Sequence, residues 1–348
     1  MSTYAGLFEN AGATAAPVPP RGDFVPHVSV IVPTYRRPAM LERCVRALAA
    51  QTYDPSRYEI IVCDDGPDEA TKACVQRLAT SHAQSGPKIR YVPVTATQGP
   101  AGARNAGWHA SLARRIAFTD DDTIPDSQWL ANGMRALDTG ADAVSGRIVV
   151  PLPKRPTDYE LDAAGLANAE FATANAFATR VALERTGGFD ARYTSAWRED
   201  SDLQFALMQA GLVVARADDA TVLHPARSAR WGVSISQQKK SQFDALLYKK
   251  HRALFRERIR RHPPLLYYAM LAALVALFIS LMANARHIAI GAAAAWIAMT
   301  IWFCMQRLKT TARTPAHIAE MLCTSAIIPY LSIYWRIRGA FKFKVFFL

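Results

Sequence analysis

Val28-Ser-Val-Ile-Val-Pro33 is a short apolar run, hence a buried strand, and its reading decides the fold. Outward from it the period changes: residues 40–51 place Leu41, Val45 and Leu48 on one helical face. Tyr58-Glu-Ile-Ile-Val-Cys63 reads as a second strand ending at Asp64-Asp65-Gly66, and residues 69–78 as a second helix. Residues 89–94 form a third strand, followed by Gly99-Pro100-Ala101-Gly102 and a helix through Leu112. A fourth strand, 115–119, runs straight into Asp120-Asp121-Asp122. Strands alternating with helices predict an α/β domain with a mostly parallel sheet and helices on both faces. In such sheets ligands bind at the carboxyl ends of the strands, where the first, second and fourth strands here end in polar or acidic residues. No G-x-G-x-x-G follows the first strand and no G-x-x-x-x-G-K-[ST] occurs, so dinucleotide and P-loop readings lose their main support.

The chain has 348 residues, 51% of them apolar and 20% charged, which predicts one domain with an appendage or two domains and excludes whole-chain disorder. A net charge of +12 suggests nucleic acid until it is located. Residues 1–238 carry 24 Lys/Arg against 26 Asp/Glu, residues 239–262 nine against two, and residues 263–348 eight against one. The front domain is slightly acidic, whereas a nucleic-acid enzyme is basic over its catalytic face, so nucleic acid is not expected as a partner. Cys44, Cys63, Cys74, Cys304 and Cys323 form no C-x-x-C pair and no zinc-spaced cluster, which predicts buried free thiols in a reducing compartment. Residues 1–26 have no apolar secretory core and read as a mobile leader, which predicts a cytoplasmic catalytic domain over residues 27–233.

Residues 265–283 contain no charge and would span ~28 Å as a helix, and a second apolar run, 288–305, follows. The pair predicts a transmembrane hairpin within residues 263–306. Lys and Arg gather before the first run and after the second, so both ends are expected on the cytoplasmic side of an inner membrane. The stretch 318–335 contains Glu320 and Pro329 and precedes a basic tail. Residues 307–348 are therefore read as an interfacial or re-entrant helix with a basic tail rather than a third crossing. Within residues 234–262, the stretch 246–259 reads as a basic amphipathic helix lying on an anionic membrane surface, with Leu246, Leu247, Leu254 and Phe255 as its apolar face.

Three adjacent carboxylates repel, and each needs solvent, a donor or a cation. A solvated acidic turn is one reading of Asp120-Asp121-Asp122; the buried-strand pattern before it favours a cleft. Oxygen ligands point to a hard cation, Mg²⁺ or Mn²⁺, which can bridge to a diphosphate.

Taken in order, Pro33-Thr34-Tyr35-Arg36-Arg37, Asp64-Asp65-Gly66, Gly102-Ala-Arg104-Asn105, Asp120-Asp121-Asp122, Ala174-Asn175-Ala176, Gly187-Gly188-Phe189-Asp190 and Arg198-Glu199-Asp200-Ser201-Asp202-Leu203 resemble the family-2 glycosyltransferases over roughly residues 27–225. The resemblance implies a GT-A fold, a nucleotide-diphosphate sugar donor with uridine the commonest base, a divalent metal and inversion at the anomeric carbon. It also implies that Pro33, Thr34, Tyr35 and Arg37 line the nucleotide pocket, that Asp65 bonds the base and that Arg104 assists at the nucleotide. Asp120 faces the ribose or the metal, Asp121 has no fixed register, Asp122 ligates the metal and His224 is a weaker metal candidate. Asp200, paired with Glu199, is the implied catalytic base; the residue type also suits an N-cap of a helix over 203–210. Asn175 and Trp231 are candidates for contact with the acceptor. Arg227-Ser-Ala-Arg230-Trp231 lacks the glutamine of the processive Q-x-x-R-W motif, which points to a non-processive enzyme.

The leading expectation is thus a membrane-anchored glycosyltransferase acting on a lipid-linked or envelope acceptor. A nucleotidyltransferase of similar sheet remains an alternative, although the loop after the first strand has no glycine. A membrane scaffold with a relic transferase domain is a second alternative, opposed by the acids at every implied position.

Overall fold

The computed structural model describes residues 25–347; the leader read over 1–26 lies almost wholly outside the described residues. The elements β1 (Val28–Thr34), α1 (Pro38–Ala49), β2 (Tyr58–Asp64), α2 (Glu69–Ser81), β3 (Lys88–Pro93), α3 (Pro100–Ala110) and β4 (Arg115–Thr119) follow in the expected alternation. After them come β5 (Ile124–Pro125), α4 (Trp129–Asp138), β6 (Ala143–Val149), α5 (Asp158–Ala164), β7 (Asn175–Thr179), α6 (Arg180–Thr186), α7 (Glu199–Gln209) and β8 (Val214–Leu223). The helices α8 (Val233–Gln237), α9 (Gln242–Lys250), α10 (Arg252–Leu254), α11 (Leu265–Met282), α12 (Arg286–Leu308) and α13 (Pro315–Phe343) make up the rest.

One eight-stranded sheet runs β3-β2-β1-β4-β7-β6-β8-β5. The pairs β1·β2, β1·β4, β2·β3 and β6·β8 are parallel, while β7 runs against β4 and β6, and β5 against β8. The mostly parallel expectation therefore holds for the first half of the sheet and is diluted in the second. Every residue of β1 and β2 is buried, because helices cover both faces. Leu41, Val45, Leu48, Cys74, Val75, Leu78, Trp129 and Met134 pack on one face. On the other lie Ala101, Ala103, Trp108, Leu183, Leu203, Phe205 and, from the C-terminal third, Phe243, Leu246, Leu247, Phe255, Phe343 and Phe347. Register sets the site: Thr119 of β4 lies opposite Asn175 of β7, and Val149 of β6 opposite Leu223 of β8. The ends of β1, β4, β6 and β8 and the start of β7 thus share one edge.

Two expectations about the C-terminal third are corrected. The amphipathic helix over 246–259 is broken at His251 (φ −134°, ψ 53°) and continues as α10 and a wide turn over 255–259. Its apolar residues face the protein: Leu246 and Leu247 are fully buried and Phe255 nearly so. Burying each such side chain contributes about 1.5–3 kcal/mol, and the sheet layer offers that burial without a membrane. Its cations are also engaged, with Lys250 on Asp190 and Asp202, Arg258 on Glu170, and Lys249 donating to the Phe343 carbonyl. The five cysteines are free as expected, but Cys323 is exposed while the other four are buried.

Three helices, α11, α12 and α13, are long and apolar enough to cross a membrane. The first two pack as the expected hairpin and turn Phe278, Ile279, Met282, Ile288, Ile290 and Met305 outward. Arg307 ties the hairpin to the sheet domain through a salt bridge to Asp158 at 2.7 Å. Helix α13 is continuous through Pro329, and both its ends touch the sheet domain and the helices packed on it. Near its start Glu320 accepts from the Gly232 N–H at 2.6 Å; near its end Arg336 meets Asp244 and Phe343 enters the core.

Candidate active site

A cleft of about 590 Å³ opens at the shared strand edge. It is lined by Pro33, Thr34, Tyr35 and Arg37 after β1, Asp65 after β2, the loop Gln98-Gly99-Pro100, and Asp120-Asp121-Asp122 after β4. Arg104, Thr194, Ala196, His224 and Arg227 complete it. All the nucleotide and metal candidates therefore converge, although they are scattered over nearly two hundred positions in the chain.

Each acid of the triplet has a partner of its own. Asp120 accepts from Arg104 Nη2 at 2.8 Å. Asp121 accepts from Thr34 Oγ1 at 2.7 Å and from Arg37 Nη1 at 3.3 Å. Burial pushes its carboxyl up to about 6 despite these two donors. Asp121 is only 3% exposed, so it braces the Thr34 to Arg37 loop rather than presenting a free carboxylate to the cleft. Asp122 sits 3.3 Å from His224 Nε2 and 3.2 Å from Arg227 Nε. Thr123 Oγ1 donates to the Asp120 carbonyl at 2.9 Å and holds the turn.

Asp120, Asp122 and His224 each place a ligand atom within 4.8 Å of the others, close enough to hold a metal ion. Two carboxylates and an imidazole suit Mn²⁺ better than Mg²⁺, because Mg²⁺ prefers oxygen ligands and waters.

Asp65 accepts the Gly99 N–H on both carboxylate oxygens, at 2.8 and 2.9 Å, and burial raises its pKa. Gly99 is required there. Its φ is +112°, and a Cβ would meet Thr194 Cα at 3.0 Å.

Glu199 and Asp200 do not line this cleft; they lie beyond Arg104. Arg104 is buried and reaches both ways, to Asp120 and, through Nη1 at 3.2 Å, to Glu199. It is thus a strut between two acidic groups more than a free nucleotide contact. Asp200 accepts from Thr173 Oγ1 at 2.6 Å and is half-buried, whereas the second oxygen of buried Glu199 has no partner. Burial first pushes both above the ordinary carboxylate range, helped by the Asp200 charge at Glu199 and by the Asp120 charge at Asp200. The capping expectation for Asp200 is corrected: α7 begins at Glu199, so Asp200 lies inside the first turn, and the cap position is Arg198 without a side-chain bond.

Both acceptor candidates lie away from the cleft lining. Asn175 is fully buried, accepts from Trp129 Nε1 and donates to the carbonyls of Arg147 and Ala220, so every polar atom of its side chain is used within the sheet. Trp231 is 59% exposed beside Gly232, on the side held by Glu320 of α13. Sequence reasoning missed Thr173, which carries no motif. It weighed Arg227 only as a missing glutamine, although a cation two residues past His224-Pro225 signals a site for negative charge.

A mixed sheet with helices on both faces and acids gathered round a cleft at its strand ends is a GT-A-like arrangement. Residues 29–199, just under half of the chain, match the profile described as Glycosyl transferase family 2. This region is a family-2 glycosyltransferase domain, and the resemblance read from the motifs is borne out. Glycosyltransferase AglE of Haloferax volcanii is 33% identical over 137 residues, 39% of this chain and 44% of that protein. The GalNAc(5)-diNAcBac-PP-undecaprenol beta-1,3-glucosyltransferase of Campylobacter jejuni is 32% identical over 127 residues, 36% of this chain and 39% of that protein. The chain thus spans less than half the length of these curated relatives. Among solved structures, the mannosyltransferase PcManGT of Pyrobaculum calidifontis, in complex with GDP-Man and Mn²⁺, superposes with a TM-score of 0.51 at 21% identity, covering 92% of this chain and 88% of that one. That likeness bears on the fold.

Proposed function

We propose that this chain is a membrane-anchored, inverting and non-processive glycosyltransferase, moving a sugar from a nucleotide-diphosphate sugar, with UDP the expected carrier, to a lipid-linked acceptor. The observation that carries the reading is the pairing of two acidic groups across Arg104, one set on the donor cleft and one behind it. Inversion in one displacement needs a carboxylate to take the acceptor's proton and a positive environment for the departing diphosphate, and no nucleophile.

The roles follow from position. Tyr35 and Asp65 flank the base, with Asp65 pinned by Gly99. Thr34 and Arg37 are set by Asp121 and face the diphosphate. Asp120, Asp122 and His224 would hold the divalent ion, which when bound neutralises charge on the leaving diphosphate. Arg227, 3.2 Å from Asp122, adds a cation at the same place. Burial raises the proton affinity of both acids, and Asp200, bonded on one oxygen by Thr173, offers its other oxygen to the acceptor hydroxyl.

The lipid acceptor is supported by the hairpin, by α13 and by the undecaprenol-linked substrate in the name of the Campylobacter relative. A helix whose two ends both touch one domain lies along that domain, which supports the reading of α13 as interfacial and of the hairpin as the crossing. The basic residues flanking the hairpin support the reading of the domain on the cytoplasmic face of the inner membrane.

A donor screen by nucleoside-diphosphate release, using full-length protein and membrane lipid extract, tests the activity. Release with one donor that needs lipid extract and Mn²⁺ is expected. Donor-independent silence across uridine, guanosine and thymidine sugars, or equal transfer to a water-soluble headgroup analogue, would sink the proposal.

A further inference from the structure

The helix that carries Glu199 and Asp200 starts in an unusual way. Arg198, directly before it, has φ +75°, a left-handed backbone that side-chain-bearing residues rarely adopt. Such a conformation persists only where the surroundings over-determine it. The usual support, a side-chain cap on the first turn, is missing from α7. The Arg198 side chain instead turns away from the helix: its Nε donates to Asp244 Oδ1 at 2.8 Å. Its guanidinium also lies over the Trp197 ring at 4.5 Å, and Trp197 Nε1 donates to the same Asp244 oxygen at 3.2 Å.

Asp244 belongs to α9 and is 4% exposed. Its second oxygen accepts from Arg336 Nη2 at 3.0 Å, and Arg336 is equally buried on α13. One carboxylate thus joins the entrance of the acid-bearing helix to the helix assigned to the membrane interface. Close approach makes this possible. A Cβ at Gly339, one turn beyond Arg336, would sit 2.3 Å from the Gln242 carbonyl oxygen, so the two backbones touch where the ion pair forms. With two guanidinium groups on one carboxylate, removing Arg336 changes the charge in a buried place and leaves Asp244 with Arg198 and Trp197 on its other oxygen.

We propose that Asp244 and Arg336 are positioning residues for the acid pair: the Arg336–Asp244–Arg198 chain holds the left-handed entrance of α7, so that Glu199 and Asp200 are in working geometry only while α13 is docked on α9. The proposal rests on the reading of Glu199 and Asp200 as the base pair and adds its control by the membrane-side helix. A shift of about an ångström at a reacting group costs up to ~10²-fold in rate, which is the scale on which loss of the chain acts.

The test uses full-length protein in nanodiscs and compares wild type with Arg336→Gln and Arg336→Lys. Arg336→Gln is expected to lower kcat ~10–100-fold with donor KM within twofold, and Arg336→Lys, which keeps a cation for Asp244, to recover most of the loss. Hydrogen exchange of the backbone amides over residues 196–203 should quicken at least tenfold in Arg336→Gln while β1 and β2 stay protected. A purely structural residue would instead loosen the whole domain or leave kcat per folded molecule unchanged. Should Arg336→Gln fail to fold, Trp197→Phe keeps the ring and removes one donor to Asp244; it should quicken the same amides and lower kcat about threefold. Wild-type kcat together with wild-type exchange over 196–203 in a folded variant overturns the proposal. The exchange readout judges it independently of the base assignment, which Asp200→Asn decides by turnover alone.

Discussion

The two acidic regions on either side of Arg104 are built on opposite plans. In Asp120-Asp121-Asp122 every carboxylate has its own donor: Arg104, then Thr34 with Arg37, then His224 with Arg227. In Glu199-Asp200 the donors are scarce, with one Arg104 nitrogen, one Thr173 hydroxyl and an oxygen left without a partner. Burial with few donors raises the proton affinity of Glu199 and Asp200, which is what a base needs. The two regions thus differ in how their carboxylates are partnered rather than in residue type.

The strongest test of that division is Asp200→Asn. Loss of a general base costs ~10²–10⁴-fold in turnover. Nucleotide binding, measured by calorimetry, should stay near wild type, and so should the melting temperature, because Asn keeps a carbonyl for the Thr173 hydroxyl. Normal turnover per folded molecule would merge the two regions into one. Asp122→Ala should do the reverse. Metal-dependent affinity for the nucleoside diphosphate should fall by at least the ~10–100-fold that even supporting residues command at metal sites. Unchanged Mn²⁺-dependent binding breaks the assignment from the other side.

A pH profile sharpens the contrast. A base works deprotonated, and its raised pKa in the folded enzyme means that activity is present above that value and lost as pH falls through it. The acid limb of kcat/KM should therefore lie well above ~4, the ordinary carboxylate range. A limb near pH 4 in the wild-type enzyme contradicts the pairing. The smallest expected effect belongs to His224→Ala: about a tenfold weakening of metal-dependent donor binding, read by the same calorimetry, because Asp120 and Asp122 remain.

The first half of the sheet was legible because β1, β2 and β4 are short apolar runs that stop at polar residues, and a buried strand leaves few other readings. The motif residues could be placed on strand ends for the same reason, and the cleft collects them as expected. The reversed direction of β7 was not legible, since a strand's orientation depends on where its connection lands. Asn175 misled because a polar residue at a strand end looks the same in sequence whether it faces a ligand or satisfies neighbouring carbonyls. The stretch around Leu246 and Leu247 misled more deeply. A helix that is apolar on one side and basic on the other fits a lipid surface, but it equally fits a protein core whose rim supplies Asp190, Asp202 and Glu170. Periodicity gives the face and not what covers it.

The burial of Phe343 and Phe347 beside Leu203, Leu246 and Phe255 has a consequence for biogenesis. Phe347 follows Phe255 by 92 positions, and the hairpin of α11 and α12 lies between them. At ~5–20 residues per second a ribosome takes about 5–20 s to cover that distance. During this interval one face of the sheet lacks its last aromatic cover while the hairpin is already emerging. Delivery to the bilayer then precedes completion of the layer that supports α7 and α9, so a chain that misses the membrane reaches its final fold with the hairpin's outward Phe278, Ile279 and Met305 still in water. Translation order thereby favours maturation of the acid pair beside the lipid it is proposed to serve.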